Sequence, residues 1–202
     1  MIYRGRVFRY DFGLKSQIVR GLFRDHVQRV RVSEISEGER NNEMGADDER
    51  REGLGLAKVT VPLAPSDWHE HANETMWAQP LGENRFRIQN VPFYAFGLSY
   101  DDVVEAPTID NQNVMRAVVQ RGGHSTYRII VSNSTSPTRF REFWLPLEHL
   151  GCTLERATER FLGIDVPPEA DIYKVYDLLQ GGEAASVWDF EEAHVGHALK
   201  TN

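Results

Sequence analysis

Hydrophobic and polar residues alternate with a short period in the middle of this chain. In LAKVTVPL (56–63), Ala57, Val59 and Val61 alternate with Leu56, Lys58 and Thr60, the period of two that a strand with one buried face requires. TMWAQPL and RFRIQN, joined by residues 82–84, predict a hairpin whose turn takes positive φ and whose Phe86 and Ile88 share a face. DDVVEA (101–106) and NVMRAVVQR (113–121) predict two further strands. Five short strands with turn residues between them predict a small β-barrel-like sheet over residues 55–121.

After that the rhythm changes. TYRIIV (126–131) predicts a strand, and Ser136 with Pro137 predicts a helix start. On that helix Phe140, Phe143, Trp144 and Leu147 fall at helical spacing, with Pro146 expected to kink or end it and Gly151 closing the segment. CTLERAT and ERFLGIDV predict two strands. PPEADIYKVYDLLQGG predicts a helix running from its prolines to its glycines, with Ile172, Val175, Tyr176 and Leu179 on one face. SVWDFEE predicts a last strand with Trp188 and Phe190 inward. The order β-α-β-β-α-β is the ferredoxin-like pattern, with both helices on one face of the sheet. The predicted class is therefore α+β, a small β-barrel-like sheet followed by a ferredoxin-like unit.

The two ends read differently. Val7, Phe8, Tyr10 and Phe12, then Ile18, Val19, Leu22 and Phe23, suit a strand and a short helix, while residues 33–53 are too charged to bury much surface and predict a flexible linker. The expected division is an N-terminal segment with a charged flexible loop (1–54), a barrel-like subdomain (55–121), a ferredoxin-like subdomain (122–193) and a tail (194–202). His194 and His197 are expected to be tail residues.

Composition narrows the class. The net charge is −7, which on average repels nucleic-acid phosphate and suits a basic or neutral partner. Eight basic residues among the first 32 oppose eight acids in 34–52, so the two blocks can neutralise each other. Nothing approaches the ~20 apolar residues of a membrane span, and MIYRGRVFRY lacks the apolar stretch of a signal peptide, so no membrane association is expected and a cytoplasmic location is. The single Cys152 makes no internal disulfide, and no Cys/His set has structural zinc spacing, so neither metal nor cofactor is expected.

Candidate chemistry centres on RGGHSTYR (121–128). The plain reading is a glycine-containing hairpin loop between the strands at 113–121 and 126–131. The functional reading is an anion site at Gly123, with Arg121, Ser125, Thr126 and Arg128 around it. His124 and Ser125, as neighbours on a strand end, point to opposite sides, so a catalytic Ser125 needs a base from elsewhere. Asp102, beside Asp101, is a third catalytic candidate. WHEHANETMW holds His69, His71, Glu70 and Glu74, read as solvated loop residues rather than metal ligands. The aromatics of NVPFYAFGLSYDD (90–102) lack basic neighbours and are read as core or inter-domain packing.

ETMW (74–77), NVPFYAFGLSYDDVV (90–104), GGHSTYRI (122–129), GC (151–152), IDVPPEAD (164–171) and WDFEE (188–192) together resemble a bacterial family known as domain of unknown function 4265, over roughly residues 72–192. The resemblance singles out Trp77, Pro92, Phe93, Gly97, Asp102, Gly123, His124, Ser125, Thr126 and Arg128 and implies no activity. The acidic balance favours a cytosolic binding protein for a protein partner such as a toxin. The alternatives are a nucleotide- or RNA-binding module and a hydrolase or transferase centred on His124.

Overall fold

The computed structural model describes residues 50–64 and 70–199. The expected N-terminal strand and helix, and nearly all of the 33–53 linker, lie outside the described residues; residues 50–53 form a helical turn. The elements are β1 (Ala57–Pro62), β2 (Asn73–Gly82), β3 (Arg85–Ile88), β4 (Val103–Glu105), β5 (Thr108–Ile109), β6 (Gln112–Val114), β7 (Ala117–Gln120), β8 (Ser125–Val131), α1 (Pro137–His149), β9 (Thr153–Arg156), β10 (Phe161–Val166), α2 (Ile172–Ala184) and β11 (Trp188–His194). The fold is mixed α+β, with a curled sheet and a second, helix-covered sheet.

The first sheet has the order β5-β6-β1-β2-β3-β4-β7. Alternation sets its inner face: Val59 and Val61 of β1 meet Met76 and Ala78 of β2 and Phe86 and Ile88 of β3. The β2–β3 turn holds Gly82, Glu83 and Asn84 at positive φ, as their sequence predicts. The single strand expected over 113–121 is instead two strands broken at Met115–Arg116, and β5 is an additional strand. The break is where hydrogen-bond partners change, since the Met115 amide donates to Thr60 on β1 and the Arg116 amide to Glu105 on β4. Successive residues thus bond to opposite sides of the sheet, which curls it.

The second sheet has the order β11-β8-β10-β9, antiparallel throughout. One face packs Tyr127, Ile129, Leu162 and Ile164 against Trp144 and Leu147 of α1 and Val175 and Leu179 of α2. Two helix expectations are corrected. Pro146 does not end α1, which runs one more turn because Leu147 is fully buried and the Leu150, Gly151 and Cys152 amides cap its last carbonyls. Gly181 and Gly182 do not end α2 either, and Asp171, rather than a proline, caps its start by accepting from the Tyr173 and Lys174 amides.

The expected 121–128 hairpin is also corrected: β7 and β8 belong to different sheets and do not pair. Residues 121–124 cross from one sheet to the other, with Gly122 so near Asp101 that an added Cβ would stand 2.6 Å from its carbonyl carbon. Close approach of two backbones, not turn geometry, excludes a side chain there.

Candidate functional site

The seam between the sheets is built by residues 90–101, which lie over the second sheet's helix-free face. Glu74 of β2 anchors this segment, accepting from the amides of Phe93 (2.6 Å), Tyr94 (3.0 Å) and Ala95 (2.8 Å). It is buried, which corrects its reading as a solvated loop residue. Of its sequence neighbours, His71 sets its ring at a tilt against Tyr94, 4.4 Å between centroids, and His69 lies outside the described residues. No group of three metal-ligating side chains occurs among the described residues. The aromatics pack as expected at the seam, with Phe93 and Tyr94 against Phe161, although Phe96 is exposed over the Arg128 guanidinium.

The predicted anion site does not assemble. Arg121 donates to Asp102 (2.8 Å) and to the Gly97 carbonyl (2.7 Å). Arg128 is 2% exposed and donates to the Ala95 carbonyl and to Glu191. Thr126, fully buried, donates to the Ser99 hydroxyl, and Gly123 packs its backbone near Pro168. Arg128 is engaged inside the protein and the half-exposed Arg121 is paired with the buried Asp102, so the charge that would attract an anion is already matched. Residues 90–101 lie over the helix-free face of this sheet, where Arg128 donates to the Ala95 carbonyl and Thr126 to Ser99.

The three catalytic candidates are likewise separated. Asp102, 1% exposed, accepts from the Ser99 amide (3.1 Å), the Gly122 amide (2.9 Å) and Arg121. Ser125 is fully buried; its Oγ accepts from the Gly196 amide (3.0 Å) and lies 2.7 Å from His197 Nδ1. His197 Nε2 lies 3.0 Å from the Pro167 carbonyl, which can only accept, so Nε2 carries the proton and Nδ1 receives the Ser125 hydroxyl. Ser125 does have a histidine from elsewhere, but the pair acts as a clasp that fastens residues 195–198 onto β8. His194 and His197 are therefore not free tail residues. His194 ends β11, and burial, with Arg121 nearby, lowers its pKa.

His124 is the exception with chemical potential. Its Nδ1 lies 2.8 and 3.0 Å from the two Asp165 oxygens, and the Tyr100 ring stands 5.3 Å away. A carboxylate accepts, so His124 Nδ1 donates to Asp165, which fixes the orientation of the ring. Burial raises the Asp165 carboxyl, opposed by His124. Burial also raises the neighbouring Glu155 and pushes the Cys152 thiol up to about 12, so that thiol is not a nucleophile.

An open cavity of about 740 Å³ lies at the other end of β8, between α1, the 132–136 loop and the β9–β10 hairpin. Phe140, Trp144, Leu154 and Leu162 line it with Arg141, Arg156 and Arg160. His124 precedes β8 and Val131 ends it, a separation of roughly 20 Å along the strand. Sequence reasoning missed this site, since its residues come from α1, a loop and two strands and form no contiguous motif. The paired Arg156 and Arg160 flanking a turn were the available signal.

No helix among the described residues is long and apolar enough to cross a membrane. A search of curated proteins finds no match. Among solved structures, the chain resembles a hypothetical protein from Neisseria gonorrhoeae, with a TM-score of 0.61 and 21% identity over 71% of this chain and 97% of that one, which shows a shared fold. The model of the family described as Domain of unknown function (DUF4265) matches residues 74–190, covering the seam, the His124–Asp165 pair and the cleft. The chain belongs to this family.

Proposed function

We propose that this chain is a binding protein and that it receives its ligand in the cleft between α1 and the β9–β10 hairpin. The cavity itself carries this reading: about 740 Å³, an aromatic and aliphatic floor and a polar rim. Small-ligand sites are typically concavities of roughly 300–1,000 Å³ with that kind of lining. The cleft is formed within a unit we infer to be ferredoxin-like, a reading supported by the strand order β11-β8-β10-β9 and by two helices on one face. The test is binding of the fluorescent probe 1-anilinonaphthalene-8-sulfonate. One probe should bind per chain, and Asn133→Trp, which places an indole at the cavity's mouth, should abolish binding. Unchanged binding by that variant would place the probe elsewhere and reject the cleft.

A second reading, a basic protein partner, is favoured by β11. It is a sheet-edge strand carrying Asp189 and Glu192, besides Glu191 that pairs with Arg128, on a chain of net charge −7. An acidic edge suits strand addition by a basic segment, and an antagonist of a basic toxin is one form of it. Affinity capture from host lysate tests this with Asp189→Lys/Glu192→Lys as control. The expected result is a stoichiometric basic protein that the charge-reversed chain does not retain; recovery by both, or by neither, sinks it.

A further inference from the structure

We infer that the ligand of the α1/β9–β10 cleft is an amphipathic organic anion, a flat or acyl apolar body bearing a carboxylate. This rests on the cleft being a ligand site. The register of the β9–β10 hairpin sets which side chains line the cleft. Leu154 and Arg156 are two residues apart on β9 and share a face, and Arg156 pairs directly with Leu162 of β10. Directly opposed residues of an antiparallel pair project to the same side, so the Arg156 side chain leaves from the apolar floor. Phe140 and Trp144 of α1 complete that floor and stack with a ring separation of 6.4 Å. An apolar floor and an anion-binding guanidinium are thus offered side by side.

The charges decide the sign of the ligand. Arg141 is paired with Glu148 at 3.2 Å. Arg160 is held by the Val131 carbonyl and Asn133, with the Glu159 charge nearby. Arg156 donates one N–H to the Glu159 carbonyl at 3.3 Å and has no carboxylate partner among the described residues. A guanidinium has five N–H donors arranged in a fork that fits a carboxylate bidentately. Its remaining donors stand at the rim of an apolar hollow, where a ligand's carboxylate would exchange water for them and lay its body on the floor. A cation would face three arginines, and a neutral apolar ligand would leave the Arg156 donors to water.

The experiment compares 1-naphthaleneacetate with 1-naphthaleneacetamide, which have nearly the same shape and differ in charge, by isothermal titration at low and moderate salt. The carboxylate should bind at least tenfold tighter than the amide, and the advantage should shrink with salt. Arg156→Gln should erase the advantage while leaving the amide's affinity as it was, and Arg156→Lys should restore part of it. Arg156 is exposed on β9, and an unchanged melting temperature verifies that each variant is folded. If acid and amide bind equally, and Asn133→Trp abolishes both, the cleft stands and the anion assignment falls. If neither binds, or both bind Asn133→Trp as they bind the native chain, the cleft itself is rejected.

Discussion

The adjacent glycines of α2 supply a test in which neighbouring positions should respond in opposite directions to the same substitution. Both lie inside the helix, where alanine is favoured over glycine by about 1 kcal/mol. Gly181 is exposed and an added Cβ would meet nothing within 4 Å, so Gly181→Ala should stabilise the protein by about 0.5–1 kcal/mol. At Gly182 the added Cβ would stand 2.2 Å from Cε2 of Trp188, which is 1% exposed. The indole is not free to swing away, because its Nε1–H donates to the Leu179 carbonyl at 3.0 Å. Relief requires shifting α2 from the sheet or breaking that bond. Overpacking typically costs 1–3 kcal/mol and a buried hydrogen bond a further ~1, against the helix gain of ~1, leaving Gly182→Ala destabilised by about 1–3 kcal/mol. At ~2–4 °C per kcal/mol for a chain of this size, the two variants should melt on opposite sides of the native protein. Urea denaturation followed by tryptophan fluorescence gives the same comparison as free energies. If Gly182→Ala is as stable as the native chain, or Gly181→Ala loses as much as Gly182→Ala, the account of why a helix carries two glycines here is wrong.

Two buried groups, Glu74 at the seam and Cys152 in the core of the second sheet, give two further outcomes. Glu74→Ala removes a buried carboxylate that accepts from three consecutive amides, and should cost about 2–4 kcal/mol and speed hydrogen exchange at Phe93, Tyr94 and Ala95 before other amides of the first sheet; exchange there at the native rate would show that another contact holds the segment. Cys152, 2% exposed with its thiol pushed up to about 12, should resist a thiol-specific disulfide reagent at pH 8 and react promptly in urea. Because its folded pKa lies above the unfolded value of about 8.5, its contribution to stability is complete below pH 8.5 and is lost as pH rises towards 12, so Cys152→Ala should show a shallower alkaline decline than the native chain; parallel declines would refute the assignment.

Where one face of an element is buried and its neighbours are close in sequence, the pattern of residues was sufficient. β1, the β2–β3 hairpin and the apolar stripes of α1 and α2 were readable because burial of one face imposes a period of 2 or 3.6 on contiguous residues. Three glycines were misread, two of them for a common reason. Gly122, Gly181 and Gly182 look like turn or terminus signals, yet at 122 and 182 a backbone or an indole from elsewhere occupies the Cβ position. Of the two outcomes expected at Pro146, a kink or an end, the end does not occur, because the burial of Leu147 keeps the final turn in place. At the candidate site, His124 was visible as a residue but its Asp165 partner, 41 positions away, was not. The same holds for Ser125 and His197, 72 positions apart.

By itself the sequence determined the class of the fold, the order of most elements, and the short list of residues that can titrate or donate. Those follow from local periodicity and side-chain chemistry, which need no knowledge of what lies across the molecule. Only the tertiary structure decided which of those residues are used up. It matched Arg121 to Asp102 and Arg128 to Glu191, turned His197 from tail to clasp, laid residues 90–101 over a sheet face, and left a hollow beneath Arg156. The reason is physical: a charge or hydroxyl is available to a ligand only if no neighbour already satisfies it, and those neighbours are set by strand pairing between residues far apart in the chain.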